Sequence, residues 1–384
     1  MRAVIGDHIL FDECIDSFRE NDNGFGFETY RDEEKISYIM TDFVIEDDIE
    51  VGDIHIYKSI EVSLPNAYSG FVSKIRLPKW VVYNSESLFA TALSSVMSFY
   101  TGRSIKSPRD NYFHNREITH DELIGLAIKN PILVAGPGAV NRYISKTDLE
   151  VMMKDLNDII KLLWKIPIDR YREFMYAIRL SALSIYNLRT DFALGYYLMA
   201  SSIESIAQIA IKRKSKKHFC ESKWSERAKV DPEFNIVFQA YKNERGNNKY
   251  LSERFAQFIL KYCPIREWKE LKHPMEELLK TPYENSFDYR WVTKKRWDDI
   301  YPEDLTEEEV KELLKETYDY RSRFTHLGKN PPHKSPNDTM NRFFEVVHEY
   351  NDNTYRDIVL INYRLLSFIN RKAIINYLEE ISKK

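Results

Sequence analysis

The run Tyr320-Arg321-Ser322-Arg323-Phe324-Thr325-His326-Leu327-Gly328 holds an arginine and a histidine whose chemistry suits one phosphate. A guanidinium is charged at any physiological pH, and its fork of N–H donors matches a phosphoryl group gaining charge. A histidine titrating near neutrality suits general acid–base work. The spacing restricts how they can cooperate. On an unbroken helix, residues five apart point about 140° away from each other. Arg321 and His326 therefore share a phosphate only if the last turn distorts, or if two copies of the chain pool their residues in one cleft. The second arrangement is expected, and it predicts a homodimer.

The element that positions them is a helix with legible ends. Thr306 followed by Glu309 makes a capping box, and Leu305 and Val310 are placed to staple it. Apolar side chains recur at Val310, Leu313, Leu314 and Phe324, with Thr317 on the same line, and Arg321 falls on that stripe. Gly328 suits the left-handed position past a helix end, and Pro331-Pro332 forbids continuation. A guanidinium on an inward face needs a partner. The stretch Phe192 to Ile211 is apolar nearly all round and carries one carboxylate, Glu204, which needs a cation or hydrogen bonds if buried. The two are expected to pair, with Glu204 aiming Arg321. The alternative is a solvated Glu204 at a domain boundary.

An arginine, a small polar residue (Ser322) and a histidine closing an R-x4-H spacing near a helix end resemble the HEPN domains. The form closing on Gly328 looks closest to the ApeA-like branch, and the Ile203-Glu204-Ser205-Ile206 helix and the long C-terminal helix fit the same pattern. The resemblance covers roughly residues 146 to 384. It implies a helical bundle that dimerises and cuts RNA without a metal or other cofactor. Arg321 would hold the scissile phosphate, and His326 would move protons between the ribose 2′-hydroxyl and the leaving 5′-oxygen. The ends left would be a cyclic phosphate and a 5′-hydroxyl. It also implies a toxin-like effector, of the kind used in antiphage defence. Many family members carry asparagine or aspartate where Ser322 stands. One subgroup has a nucleotide-accepting tyrosine where this chain has Gly328. Other HEPN domains are non-catalytic modules that bind RNA or protein, and in such a chain Arg321 would be a structural ion-pair member.

Composition sets limits. Among 384 residues there are 56 basic and 59 acidic ones, so any polyanion site must be local. Cys14, Cys220 and Cys263 are widely separated, without zinc or disulfide spacing. No stretch reads as a signal peptide or a membrane span, so a cytoplasmic protein is expected. The expected class is α+β. Residues 1–145 read as a mixed domain, with strands over Ile36 to Ile45 and Ile54 to Leu64 and a helix over Ser85 to Tyr100. This domain would sense a trigger or restrain the nuclease. Residues 146–384 read as all-helical, with an insertion at about 212–300 and helices over Asn337 to Tyr350 and from Tyr355 to about Ile381.

Further candidates are weaker in pattern. Lys212, Arg213, Lys214, Lys216 and Lys217 follow the Glu204 helix and could contact RNA phosphates, with Phe219 and Trp224 near for stacking. A solvated loop is the competing reading. Lys329 and His333 could assist at the phosphate but read as loop residues. Tyr289-Arg290-Trp291 and Lys294 to Trp297 read as packing of the insertion. His114, His120, Asp121 and Glu122 lack a second cluster at metal-binding spacing, and His120-Asp121-Glu122 reads as a helix start. Gly136-Pro137-Gly138 reads as a turn.

Overall fold

The computed structural model describes residues 10–20, 34–64, 68–132, 144, 146–214, 217–247, 250–272, 299–334, 342–351 and 354–383. Gly136-Pro137-Gly138, Lys216, Tyr289-Arg290-Trp291 and Lys294 to Trp297 lie outside them.

Alternating β-branched and aromatic residues build an antiparallel sheet from β1 (Ile36–Thr41), β2 (Ile49–Val51), β3 (Ile54–Ile56), β4 (Ile60–Leu64), β5 (Tyr68–Arg76) and β6 (Ile105–Lys106). The order is β2-β3-β5-β1-β6, with β4 also on β5, and β1 meets β5 from Ile36↔Arg76 to Thr41↔Phe71. Gly52 takes φ +61° in the Val-Gly-Asp turn between β2 and β3. Every residue of β1 is buried, because both sheet faces are covered. Tyr38 and Met40 point to a small core with Leu123 and Leu126 of α3 (His120–Lys129). Ile39 points the other way, to the main core. Successive strand residues face opposite sides, so one strand serves two cores.

The main core runs without a break across residue 145. Helix α2 (Glu86–Thr101) is buried along nearly its whole length, between the sheet and the helices that follow. Its core residues cluster with those of α1 (Phe11–Ser17), α4 (Lys146–Lys165), α5 (Ile168–Asn187) and α6 (Phe192–Ala210). Sheet and bundle thus share one hydrophobic interior. Helices α5 and α6 approach closely at Gly195, where an added Cβ would meet the Ser184 carbonyl oxygen at 3.2 Å. The Ser184 hydroxyl donates to the Gly195 carbonyl at 2.5 Å across this contact.

The segment after α6 forms a helical hairpin, α7 (Glu221–Val230) and α8 (Pro232–Asn247), then α9 (Leu251–Tyr262) and α10 (Ile265–Trp268). Among the described residues of this segment, the hairpin is peripheral. Phe255, Ala256, Phe258 and Ile259 of α9 are fully buried in the main core, so part of the expected insertion belongs to the bundle. Helix α11 (Glu307–Leu327) starts with the expected Thr306–Glu309 capping box and stops at Gly328, whose φ is +61°. A hairpin follows, β7 (Phe344–Asn351) paired with β8 (Thr354–Ile361), before α12 (Tyr363–Ser382). The hairpin replaces the helix expected to Tyr350 over its described residues and the first part of the helix expected from Tyr355, which starts at Tyr363 instead; Asn337 to Asn341 lie outside the described residues. The alternation of Phe344, Val346, Ile358 and Leu360 about Asn351-Asp352-Asn353 is a strand–turn–strand pattern, and helical periodicity was the wrong template. The chain is α+β with a helical C-terminal region. No helix among the described residues is long and apolar enough to cross a membrane.

His114 has a structural task. Its Nε2–H donates to the Pro108 carbonyl at 3.1 Å, leaving Nδ1 to accept from the Ser37 hydroxyl at 2.8 Å. Burial holds this imidazole down at about 4. Neutral His114 therefore contributes stability that is fully present above the ordinary histidine pKa of about 6.5 and is lost as pH falls towards about 4. The loss should reach about 2–3 kcal/mol. Urea melts at pH 7.5 and 4.5 check this: His114→Gln should remove that part of the acid sensitivity, and unchanged sensitivity would refute it. His120 opens α3, and Glu122 closes a capping box with Thr119.

Candidate Arg321–Glu204 site

The site is built by two antiparallel helix faces. On α6, Tyr197, Ser201, Glu204 and Gln208 follow one another at spacings of four, three and four, which lines them on one face. On α11, Tyr318, Arg321 and Phe324 do the same at spacings of three. The faces meet in opposite directions. Tyr197 packs on Phe324 with ring centroids 5.1 Å apart, Arg321 reaches Ser201 and Glu204, and Tyr318 reaches Glu204.

The expected ion pair is present. Arg321 Nη2 lies 2.7 Å from Glu204 Oε2, and its Nε–H donates to the Ser201 hydroxyl oxygen at 3.3 Å. The Glu204 carboxylate also accepts from the Gln208 amide at 3.0 Å and the Tyr318 hydroxyl at 3.4 Å. Arg321 lies over the rings of Tyr197 and Tyr318 at 5.6 and 5.8 Å. Burial holds the Glu204 carboxyl above the usual carboxylate range, with Arg321, Tyr318 and Gln208 pulling it back. Burial and the neighbouring Glu204 push the Tyr318 phenol up to about 12, so it stays a hydrogen-bond donor.

A guanidinium has five N–H donors, and these contacts use its Nε edge and Nη2. Nη1 makes no hydrogen bond with the described residues. The Arg321 side chain keeps 20% of its surface exposed, against 6% for Glu204. Glu204 thus neutralises and aims the arginine without enclosing it. A double-mutant cycle between Glu204→Gln and Arg321→Met should give a coupling of order 1–3 kcal/mol in stability. Additive effects would show that the pair carries no coupling.

The other expected site residues are distributed as follows. Ser322 is half-buried beside Arg321, while His326 in the last turn and Lys329 beyond Gly328 are exposed. His326 makes no side-chain hydrogen bond or ion pair with the described residues. Helix α11 continues unbroken through the motif, so the last turn does not bring Arg321 and His326 together. Lys212, Arg213, Lys214 and Lys217 are exposed past the end of α6.

His333 lies in a loop, as expected, but its side chain is held rather than free. Its side chain is 1% exposed, with Nδ1 2.6 Å from the Glu345 carboxylate of β7. Phe192 and Tyr196 of α6 flank it at ring-centroid distances of 5.2 and 4.7 Å. Glu345 also accepts the Lys334 N–H at 2.6 Å. The loop after His326 is thereby tied to both α6 and the hairpin. Sequence reasoning missed Tyr197, Ser201, Gln208 and Tyr318, although their helical spacing about Glu204 and Arg321 was a usable signal. The His333–Glu345 pair had no such signal, because its partners come from separate elements. In comparisons with known proteins, no family model, no curated protein and no solved structure matches this chain.

Proposed function

We propose that this chain is a metal-independent endoribonuclease of HEPN type that works as a homodimer. The observation that supports it most is Arg321, which is aimed by Glu204 and Ser201, keeps Nη1 uncommitted among the described residues and stays partly exposed. His326 lies within the same C-terminal stretch of α11, also exposed. In the proposed reaction Arg321 of one protomer holds the scissile phosphate and stabilises the charge gathering on its oxygens. His326 of the other takes the proton from the ribose 2′-hydroxyl as that oxygen attacks phosphorus. The bond to the 5′-oxygen breaks, and a proton returned by imidazole completes the 5′-hydroxyl. The remaining end is a 2′,3′-cyclic phosphate. A toxin-like role in the cytoplasm, with the N-terminal sheet region receiving the trigger, completes the reading.

A second reading rests on the same ion pair. Glu204 already neutralises Arg321, which suits a bundle held together for binding RNA or protein without cleavage. Incubating the protein and its Arg321→Ala and His326→Ala variants with mixed RNA in EDTA separates the two. Cleavage by the parent alone, leaving cyclic-phosphate ends, supports the nuclease. Bound but intact RNA with all three proteins supports the module. A growth-toxicity comparison of the same variants covers the case of an activator present only in cells.

A further inference from the structure

The basic stretch after α6 is more than a run of charge. Between residues 212 and 229 the chain places eight lysines and arginines against two glutamates, in a protein of net charge −3. One of those glutamates, Glu221, is paired with Arg245 of α8. The local field is therefore cationic where the chain as a whole is not.

Rings are stacked inside this field. The His218 imidazole stacks on Trp224 with centroids 4.5 Å apart and planes 9° from parallel, and Phe219 lies 4.4 Å from the same imidazole at 31°. The arrangement is held by specific bonds. Cys220 N–H donates to His218 Nδ1 at 3.2 Å, which orients the imidazole. His218 N–H donates to the Tyr241 hydroxyl at 3.1 Å, and Tyr241 meets Trp224 edge-on at 5.3 Å. At the open end, Phe219 is 89% exposed. A large apolar ring left almost wholly in water, on an oriented stack and beside exposed Lys212, Arg213, Lys214 and Lys217, matches what an unpaired nucleobase and its phosphates require. The stretch starts where α6 ends, about 10 Å along the helix from Glu204.

We propose that Phe219, backed by His218 and Trp224, is a stacking platform for single-stranded RNA, with Lys212, Arg213, Lys214 and Lys217 neutralising the strand's phosphates. This rests on the nuclease reading in so far as the bound strand is the one cleaved. A cationic stretch with exposed apolar groups also suits an anionic membrane. The oriented ring stack favours RNA, because lipid tails gain nothing from parallel ring planes.

The test is binding of a fluorescent oligouridine of about 12 nucleotides, measured in the His326→Ala background to keep the RNA whole. Phe219→Ala should weaken binding by about 5- to 100-fold. Replacing the four cations by glutamine should flatten the logarithmic salt dependence of binding by about 0.7 for each phosphate no longer neutralised. Ile236→Ala, at an exposed site on α8, should bind as the parent does. Absence of binding, equal binding by Phe219→Ala, or equal binding of a duplex of the same length would overturn the platform. So would Phe219-dependent binding to phosphatidylserine vesicles without binding to RNA. Ring-dependent binding with neither cleavage nor growth toxicity from the parent leaves the platform standing and overturns the nuclease. Cleavage with Phe219-independent binding does the reverse.

Discussion

Arg321→Ala protein is expected to lose RNA cleavage by about 10²–10³-fold, the usual cost of removing a positioned donor from a developing oxyanion. His326→Ala should lose about 10²–10⁴-fold, the usual contribution of general acid–base catalysis. The informative step is to mix the two inactive proteins. Residues five apart on an unbroken helix diverge by about 140°, and α11 is unbroken across both. A site completed between protomers therefore regains one intact Arg321–His326 combination in each mixed dimer. Free exchange makes about half of the dimers mixed, so the mixture should recover about a quarter of parental cleavage under the symmetric two-fold arrangement usual for dimers. No recovery with proven subunit exchange would exclude the shared site. Recovery without a dimer in solution would exclude the proposed pairing of protomers.

Replacing His333 by alanine should destabilise the fold by about 2–4 kcal/mol, the cost of the space left against Phe192 and Tyr196 and of a hydrogen bond lost to buried Glu345. The residue carries no part of the proposed chemistry, so a loss of this size would mark it as a structural anchor. Its Glu345 partner is buried, and Phe192 and Tyr196 enclose the imidazole. Glu345→Gln keeps an acceptor for the Lys334 N–H and removes the charge, so it should cost less. Urea unfolding at neutral pH decides the matter, and a loss below about 1 kcal/mol for His333→Ala would contradict the burial argument. In any variant that still folds, His326 should be less well placed, because the anchored loop begins at the helix end that carries it.

Much of this site could be read before any coordinates. Thr306 and Glu309 cap α11, Gly328 ends it, and the Val310 to Phe324 stripe puts Arg321 inward; each is a local rule of one helix. Glu204 and Arg321 could be matched as lone charges on apolar faces, since neither can be buried alone. Local rules failed where two templates compete. Residues 344 to 361 are apolar enough for a helix, and only their alternation about Asn351-Asp352-Asn353 marks the hairpin that forms.

By itself, then, the sequence determined the ends of α11, the inward face of Arg321 and the need for a carboxylate partner, because these follow from backbone periodicity and the cost of burying charge. Tertiary structure decided the rest. It decided that α6 and α11 run antiparallel so that Ser201, Glu204 and Tyr318 converge on one guanidinium. It also decided that α2 joins sheet and bundle in a single core, and that His333 is buried against a strand. Such contacts join residues far apart along the chain, and no local periodicity encodes which distant faces will meet.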